Sequence, residues 1–339
     1  MTQHLNALKT EQLWDETQLS IGSFCSGYGG LDLAVEDFFD GELKWWCDTD
    51  KTSQHLMNIH WPKTTFHKDV TTINPHDLEP VDIINAGFPC QPFSHAGQMK
   101  GNNDERAIFS WIADCISVVR PRYVFLENVS AITFFGGGVI GELTKLGYDS
   151  KWGIVRASDV GATHQRARWF CFSFLADKQT HKRRFISDSE RQPFQRRRKF
   201  GLLESSKHNE QELVRDSFAS SSKTASNSYS SGSKTRFDSR SDSGRLRSQS
   251  LGSSTSCNVD WGEYREAIDR WTRIIGRVAP APVENGKLSQ HFVEWMMGLE
   301  EGFVCDHIPQ RTKALSCLGN GVVPQQALLA LQLLTSGNL

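Results

Sequence analysis

Several features that define other protein classes are missing from this chain of 339 residues. Its 8 cysteines include no Cys-x-x-Cys pair and no histidine spacing of the zinc-site type, so we expect reduced thiols, a cytoplasmic location and no metal. The polar N-terminal stretch does not resemble a signal or transit peptide. No window holds the roughly 18 apolar residues of a membrane span, so we expect no membrane contact. The absence of a Gly-Lys-Ser/Thr loop argues against a nucleoside triphosphate as ligand.

The net charge is close to zero because regions of opposite charge cancel. The formal value is −1, yet residues 178–257 contain 17 Lys and Arg against 8 Asp and Glu. This tract has basic clusters at 181–184 and 196–199 and is rich in serine from 217 to 256. It either neutralises nucleic-acid phosphates or forms a flexible, solvated insert. Composition alone favours the insert, because few apolar residues are available to form a core.

Short apolar, β-branched runs alternate with amphipathic stretches in the first half of the chain. The pattern predicts strands at 18–25, 43–47, 81–86, 122–126 and 169–175. It also predicts helices at 31–39, 107–119 and 324–334, the last opening on a proline. Alternation of this kind predicts an α/β fold with a doubly wound, Rossmann-like parallel sheet covered by helices on both faces.

One cysteine directly follows a predicted strand. Residues 86–94 are Ala-Gly-Phe-Pro-Cys-Gln-Pro-Phe-Ser, so Pro89 holds Cys90 at the carboxyl edge of the sheet. Open α/β sheets bind ligands at that edge, and a thiol there is suited to act as a nucleophile. A single cysteine is more often a small buried hydrophobic residue, so both interpretations stay open for Cys90 alone.

A glycine-rich turn at 26–30, Ser-Gly-Tyr-Gly-Gly, separates the first strand from the first helix. Its glycines allow a ligand to approach the backbone closely. Asp48, 21 residues after Gly27, ends the next strand, where a carboxylate can accept hydrogen bonds from ribose hydroxyls. Together they suggest an adenosine-type cofactor; a plain turn beside a surface acid is the alternative.

Charged residues lie at two further strand positions. Glu127 ends an apolar strand, where desolvation raises a carboxyl pKa and keeps the group useful as an acid. Arg166 and Arg168 are two residues apart, a spacing that in a strand directs both guanidinium groups to one face, toward an anion or carboxylate. A solvated strand end and a solvated strand edge are the respective alternatives.

The order of these elements resembles the DNA cytosine-5 methyltransferase family. The resemblance covers about residues 20–176 and 288–334 and ends in Gly-Asn-Gly-Val-Val-Pro at 319–324. Its most specific part is Pro89-Cys90-Gln91 with Phe93-Ser94, followed by Gly101, Asp104, Arg106 and Glu127-Asn128-Val129.

This resemblance implies a covalent mechanism on a cytosine flipped out of double-stranded DNA, with S-adenosyl-L-methionine as cofactor. Cys90 matches the nucleophile that adds to carbon 6 of the ring. Glu127 matches the carboxyl group at ring nitrogen 3 and the amino group. Asn128 matches the residue that helps to place the cysteine loop. Arg166 and Arg168 match the paired arginines near the base and its phosphates.

The resemblance also implies the cofactor contacts. Asp48 matches the ribose acceptor, Asp69 the acid near the adenine amino group, and Asn320 a contact from the C-terminal segment. The implied set consists of Cys25, Gly27, Gly29, Gly30, Leu31, Asp48, Thr49, Asp69, Val70, Gly87, Pro89, Asn320 and Gly321.

Three positions depart from the family's usual pattern. Cys25 stands where Phe is common, His164 where Gln is common, and Gly321 where Ser is common. The first departure removes an expected stacking partner of the adenine. None of them affects the methyl-transfer chemistry that the resemblance implies.

The resemblance divides the chain into three parts. It implies a catalytic and cofactor-binding domain at 1–176, a smaller target-recognition region at 177–287 and a C-terminal segment at 288–339 that returns to the catalytic domain. Within the middle part we expect a flexible basic and serine-rich insert at about 201–257 and DNA contacts from 178–199. Packing residues are expected to be Trp261, Trp271, Phe292, Trp295 and Met296.

The sequence therefore predicts a sequence-specific DNA cytosine-5 methyltransferase, typical of bacterial or phage restriction-modification systems in which a cognate endonuclease can be a partner. We expect a monomer, because a base-flipping cleft needs no second subunit. A tRNA cytosine-5 methyltransferase is an alternative on the same scaffold. A non-catalytic DNA-binding relative is another, although it would be expected to have lost Cys90 or Glu127.

Overall fold

The computed structural model describes residues 18–89, 108–134, 137–175 and 259–336. These residues fall in two compact units, and only 259–261 belong to the second, so every element below lies in the first. Cys90, the motif residues up to 107 and the basic tract lie outside the described residues.

A seven-stranded sheet forms the centre of this unit, with neighbours in the order β3-β2-β1-β4-β5-β7-β6. The first five strands in this order are parallel, whereas β7 is antiparallel to both of its neighbours. In chain order the strands are β1 Ser20–Phe24, β2 Glu42–Cys47, β3 Thr65–His67, β4 Ile83–Gly87, β5 Tyr123–Val129, β6 Tyr148–Val155 and β7 Arg168–Leu175. All five predicted strands are present, and β3 and β6 are additional.

The prediction of a parallel sheet is wrong for β7, which runs antiparallel to both β5 and β6. A parallel pair needs a crossover, usually a helix, to return the chain to its starting edge. The connection from 156 to 167 contains only a 3₁₀ turn at Ala157–Val160, so the chain reverses and pairs with the strand it has just left. This reversal places Arg168 opposite Val129, at the carboxyl end of β5.

Helices cover both faces of the sheet, and the three predicted helices are found within one residue of their expected bounds, Ala107 lying outside the described residues. The helices are α1 Gly30–Phe39, α2 Lys51–His60, α3 Ile108–Val119, α4 Gly137–Lys145, α5 Arg265–Ile275, α6 Gln290–Met296, α7 Arg311–Asn320 and α8 Pro324–Thr335. A two-stranded hairpin, β8 Val283–Glu284 and β9 Lys287–Leu288, precedes α6.

Each face of the sheet has its own apolar core, because successive side chains of a strand point to opposite faces. On β5, Val124 and Leu126 belong to one buried cluster and Phe125 to the other. The first cluster includes Ile112 of α3, and the second includes Leu331 of α8. The α/β, doubly wound architecture predicted from the sequence is therefore confirmed.

The helices α7 and α8 lie in a continuous stretch, Arg311–Thr335, that is long and apolar enough to cross a membrane by length and composition. The expectation from the sequence that the chain holds no such window is therefore not met. In the structure 72% of its most apolar window is buried inside the protein, and α8 packs on α1, β6 and β7. The amide of Gln326 donates to the carbonyls of Val155 and Arg166 at 2.7 and 2.8 Å. These contacts are those of a core helix.

Two of the expected packing residues form the centre of the region after 262. Trp271 and Trp295 are fully buried, and the indole of Trp271 donates to the carbonyl of Trp295 at 2.9 Å. Phe292 stacks on Trp295 with ring centroids 5.6 Å apart, while Met296 is half-buried. The domain boundaries proposed from the sequence stay predictions.

Candidate active site

The glycine-rich turn lies at the carboxyl end of β1, beside the end of β2. Gly27 and Gly29 have φ values of 59° and 86°, in the left-handed region that favours glycine. The backbone N–H of Gly27 donates to Oδ2 of Asp48 at 2.8 Å. A Cβ at Gly29 would lie 2.3 Å from the Trp61 ring. The turn and Asp48 therefore form one edge, which we call the cofactor edge.

Two carboxylates and one thiol meet near this edge. Asp48 also accepts a hydrogen bond from the N–H of Asp50 at 2.8 Å, and burial raises its pKa. Asp69 accepts from the N–H and the hydroxyl of Thr71 at 2.9 and 2.8 Å. Burial, with smaller effects from Asp48 and Asp69, raises the pKa of Cys25 to about 12. Cys25 is therefore a neutral thiol beside two acids.

Further residues of the implied cofactor set surround these groups. Gly30, Leu31 and Val70 are buried, and Thr49 is exposed next to Asp48. Gly30 and Leu31 lie at the end of the turn, whereas Thr49 and Val70 directly follow Asp48 and Asp69 in the sequence.

Gly87 separates the cofactor edge from the carboxyl group of Glu127. It ends β4 opposite Glu127, and a Cβ there would lie 3.4 Å from Oε2 of Glu127 and 3.7 Å from the carbonyl of Cys25. A larger residue would fill the space between the two sites. Pro89, which is exposed, is the last described residue before Cys90.

Glu127 lies at the carboxyl end of β5 and forms an ion pair with Arg168, with Oε1 3.0 Å from Nε. Burial raises the pKa of Glu127 to about 7, although Arg168 and Arg166 act in the opposite direction. The loss of hydration outweighs the attraction of both arginines. The carboxyl group of Glu127 therefore titrates near neutral pH. This agrees with the raised pKa predicted from the sequence for a carboxyl group at the end of a buried strand.

Asn128 connects this strand to the start of the cysteine loop. Its amide Nδ2 donates to the carbonyl of Phe88 at 2.8 Å, two residues before Cys90. Asn128 is buried, so the bond is shielded from water. The contact supports the implied role of Asn128 in placing the loop.

Arg166 lies before β7, so the two arginines are not on one strand as the prediction from their spacing assumed, although both guanidinium groups act on the pKa of Glu127. The φ of Arg166, 36°, is left-handed, and β7 begins only at Arg168. The guanidinium Nη2 of Arg166 donates to the carbonyls of Gly319 and Gly321. Arg166 therefore binds the C-terminal segment that contains Asn320, while Arg168 binds the carboxylate of Glu127.

A family model for C-5 cytosine-specific DNA methylase matches residues 19–328 of this chain. The chain belongs to this family. The resemblance stated from the sequence is thus confirmed, and with it the placement of the chain among the C-5 cytosine methylases.

Individual relatives match this chain over shorter stretches. The Type II methyltransferase M.CviJI of Paramecium bursaria Chlorella virus IL3A is 34% identical over 134 residues, which are 38% of this chain and 36% of the relative. The Type II methyltransferase M.HhaI of Haemophilus parahaemolyticus is 31% identical over 176 residues, or 50% and 52%. The chain thus spans about half or less of the length of these relatives.

A solved structure supports the fold over nearly the whole chain. The crystal structure of S. pombe Dnmt2 methyltransferase aligns with a TM-score of 0.54 at 16% identity, covering 93% of this chain and 98% of that one.

Two residues near this site, His164 and Tyr28, were not predicted from the sequence to belong to it. Both ring nitrogens of His164 are buried without a hydrogen-bond partner among the described residues, as is Nε of Arg166. Burial, Arg166 and Arg168 lower the pKa of His164 to about 4, so the ring is neutral. Tyr28, the second residue, is fully buried inside the glycine-rich turn. The presence of histidine where the family usually has Gln was a signal that could have identified His164. No local sequence pattern pointed to Tyr28.

One cluster in the described part of the chain has side chains of the metal-ligating type. Ligand atoms of His291, Glu294 and Cys305 all lie within 4.8 Å of one another. The Glu294 carboxylate already accepts backbone N–H groups, from Gly302 at 2.9 Å on one oxygen and from Val304 and Cys305 at 2.7 and 2.8 Å on the other. These bonds explain the position of Glu294, whose carboxylate holds the loop after α6.

Proposed function

We propose that this methylase transfers a methyl group from S-adenosyl-L-methionine to carbon 5 of a cytosine flipped out of a specific double-stranded DNA sequence. The observation that carries the proposal is the position of Glu127. Its buried carboxyl group has a pKa of about 7 and lies beside Asn128, which holds the backbone two residues before Cys90. A carboxyl group of this kind can supply a proton to ring nitrogen 3 at neutral pH.

The proposed reaction begins when the thiolate of Cys90 adds to carbon 6 of the ring. Proton donation by Glu127 to nitrogen 3 stabilises the electron density that this addition creates, and carbon 5 becomes nucleophilic. Bound at the cofactor edge, S-adenosyl-L-methionine would supply the electrophilic methyl group that carbon 5 takes up, with S-adenosylhomocysteine as the leaving group. Loss of the carbon 5 proton to a base then breaks the carbon–sulfur bond, which regenerates the thiolate of Cys90. The proton on nitrogen 3 returns to Glu127.

Arg168 supports this step by binding the carboxylate of Glu127, which limits the rotation of that side chain. It also prevents the pKa of Glu127 from rising further, because its positive charge favours the ionised form. Arg166 has a different role: it holds the C-terminal segment by donating to the carbonyls of Gly319 and Gly321.

The cofactor edge fits S-adenosyl-L-methionine. Asp48 and Asp69 offer acceptor oxygens for ribose hydroxyls and for the adenine amino group. The turn is accessible at Gly27, where an added Cβ would meet no atom within 4 Å. Two carboxylates suit a cofactor that has a positive sulfonium and no phosphate. We assign the cofactor contacts implied by the resemblance, from Cys25 to Gly321, to this edge and to the segment that contains Asn320.

The proposed partner is double-stranded DNA, with the basic residues at 178–199 contacting phosphates. The names of M.CviJI and M.HhaI as Type II methyltransferases favour a restriction-modification role, in which a cognate endonuclease is a further partner. We propose a cytoplasmic monomer with a catalytic domain at 1–176, a target-recognition region at 177–287 and a returning segment at 288–339.

Bisulfite sequencing of DNA from cells that express the wild type or Cys90→Ala tests the proposal. We expect one cytosine context to be protected by the wild type and unprotected with Cys90→Ala. Cys115→Ala is the matched control, because Cys115 is buried on α3 and burial raises its pKa to about 11; it should preserve protection. If the wild type protects no context, the DNA proposal fails, and methylation of added tRNA by the purified chain would support the RNA alternative.

A further inference from the structure

An aromatic side chain lies inside the glycine-rich turn and reaches the far end of the sequence. Tyr28 is fully buried, and its hydroxyl donates to the carbonyl of Val322 at 2.5 Å. The two residues are 294 positions apart in the chain. This hydrogen bond therefore connects the C-terminal segment directly to the turn at the cofactor edge.

The ring of Tyr28 also explains the glycine at position 321. A Cβ at Gly321 would lie 1.8 Å from Cε1 of Tyr28, far closer than such atoms can approach. The backbone of Gly321 has φ −76° and ψ −176°, which any residue can adopt. Glycine is therefore required here by the space that Tyr28 occupies and not by the backbone conformation.

A second residue, Arg166, also holds this segment. Arg166 donates to the carbonyls of Gly319 and Gly321, while Tyr28 binds the carbonyl of Val322. The backbone is thus fixed on both sides of Asn320, which is itself exposed. A residue fixed in this way can bind a ligand without a further loss of backbone freedom.

We propose that Tyr28 is a positioning residue that sets the place of Asn320 at the cofactor edge, and that Gly321 is the complementary residue that makes room for it. This inference rests on the proposed function, because it concerns binding of the same cofactor.

The test is a double-mutant cycle read by isothermal titration calorimetry of S-adenosyl-L-methionine with the purified full chain. We expect Gly321→Ala to weaken binding by about tenfold or more, because the new methyl group displaces Tyr28 or the segment. Tyr28→Ala should also weaken binding. The double variant should bind no more weakly than Tyr28→Ala alone, because the new methyl group then enters the space that the ring has left.

A second variant removes only the hydrogen bond. Tyr28→Phe leaves the carbonyl of Val322 buried without its partner, and we expect roughly fivefold weaker cofactor binding. Its KM for the cofactor should rise while kcat at saturating cofactor stays within about twofold, the split that a positioning role requires. Tyr28→Phe also keeps the inference testable if Tyr28→Ala does not fold.

Gly141→Ala on α4 is the control, because a Cβ there would meet nothing within 4 Å; its cofactor affinity should equal that of the wild type. The inference is overturned if the wild type binds the cofactor but the effects at positions 28 and 321 simply add, or if Gly321→Ala binds as tightly as the wild type. A wild type that binds no cofactor would instead overturn the proposed function, and this inference with it.

Discussion

The carboxylate of Glu127 and the guanidinium of Arg168 meet at 3.0 Å at the carboxyl end of β5, with 9% and 18% of their side chains exposed. An isolated ion pair of this kind would lower the pKa of the acid. Here burial has the larger effect and raises the pKa of Glu127 to about 7. The pair is therefore suited to proton donation near neutral pH, with Arg168 limiting how far the pKa can rise.

Replacing Glu127 by glutamine keeps the size of the side chain and removes its exchangeable proton. We expect Glu127→Gln to lower the rate of methyl transfer by about 10²- to 10⁴-fold while DNA binding changes little. Initial rates with radiolabelled cofactor and duplex DNA measure the effect. Glu142→Gln is the control, because this exposed carboxylate on α4 pairs with Lys145 across one helical turn; its rate should match the wild type. A Glu127→Gln enzyme with more than a tenth of the wild-type rate would contradict the assigned role.

Glu127 should also make the stability of the protein depend on pH. Its pKa rises from 4.5 to about 7 on folding, so between these values the folded state holds more protons than the unfolded state. The free energy of unfolding contributed by this group is present below about pH 4.5 and is lost as pH rises through 7.

Urea unfolding at pH 5 and pH 7.5 measures this loss. The wild type should lose about 2 kcal/mol more stability over this interval than Glu127→Gln, which does not titrate. Asp32 is fully buried, and burial raises its pKa to about 7. Asp32→Asn should therefore also lose less stability than the wild type between pH 5 and pH 7.5. If the curves of the wild type and Glu127→Gln run parallel with pH, the carboxyl group of Glu127 is ionised throughout.

The sequence predicted the strand position of Glu127 and the direction of its pKa shift, because the relevant information is local. An apolar run before an acid indicates a buried strand that ends at the sheet edge, and the neighbouring strands end at the same edge. Arg166 could not be predicted in this way. Its left-handed φ and its bond to Gly319, 153 residues away, depend on a distant segment. The two-residue spacing to Arg168 carries no information about that segment. The same reason explains why Tyr28 was missed.

His164 provides a prediction about substrate contact. Its ring nitrogens are buried without a partner among the described residues, near Arg166 and Arg168, so we expect them to bond to the target nucleotide or to its bound water. His164→Gln, which introduces the amide common in the family, should keep kcat/KM for DNA within about threefold. His164→Leu, which has a similar volume and no polar atom, should lower it by about tenfold or more.

The pH profile separates this role from acid–base catalysis by His164. Because burial and the arginines lower its pKa to about 4, the ring stays neutral from pH 5 to 8. His164→Gln should therefore leave the shape of the pH–rate profile unchanged. Loss of a titration step near pH 6.5 in this variant would show that the ring ionises, and equal rates for the Gln and Leu variants would show that its nitrogens bind nothing.

Gly22 tests the packing beneath the cofactor edge. It lies in β1, where a Cβ would be 2.1 Å from Cζ2 of Trp45. Trp45 is fully buried and its indole donates to the carbonyl of Glu79 at 2.9 Å, so the ring has little room to move. We expect Gly22→Ala to destabilise the fold by about 1–3 kcal/mol, which overpacking of a close-packed core typically costs.

Thermal unfolding measures this change as a fall in Tm of several degrees. Gly141→Ala again serves as the control, since it adds the same methyl group in open space and should not lower Tm. Gly22→Ala combined with Trp45→Leu should be destabilised by less than the sum of the two single changes, because the smaller side chain leaves room for the methyl group. Additive losses would show that Trp45 does not contact position 22, and would contradict the packing that supports the turn.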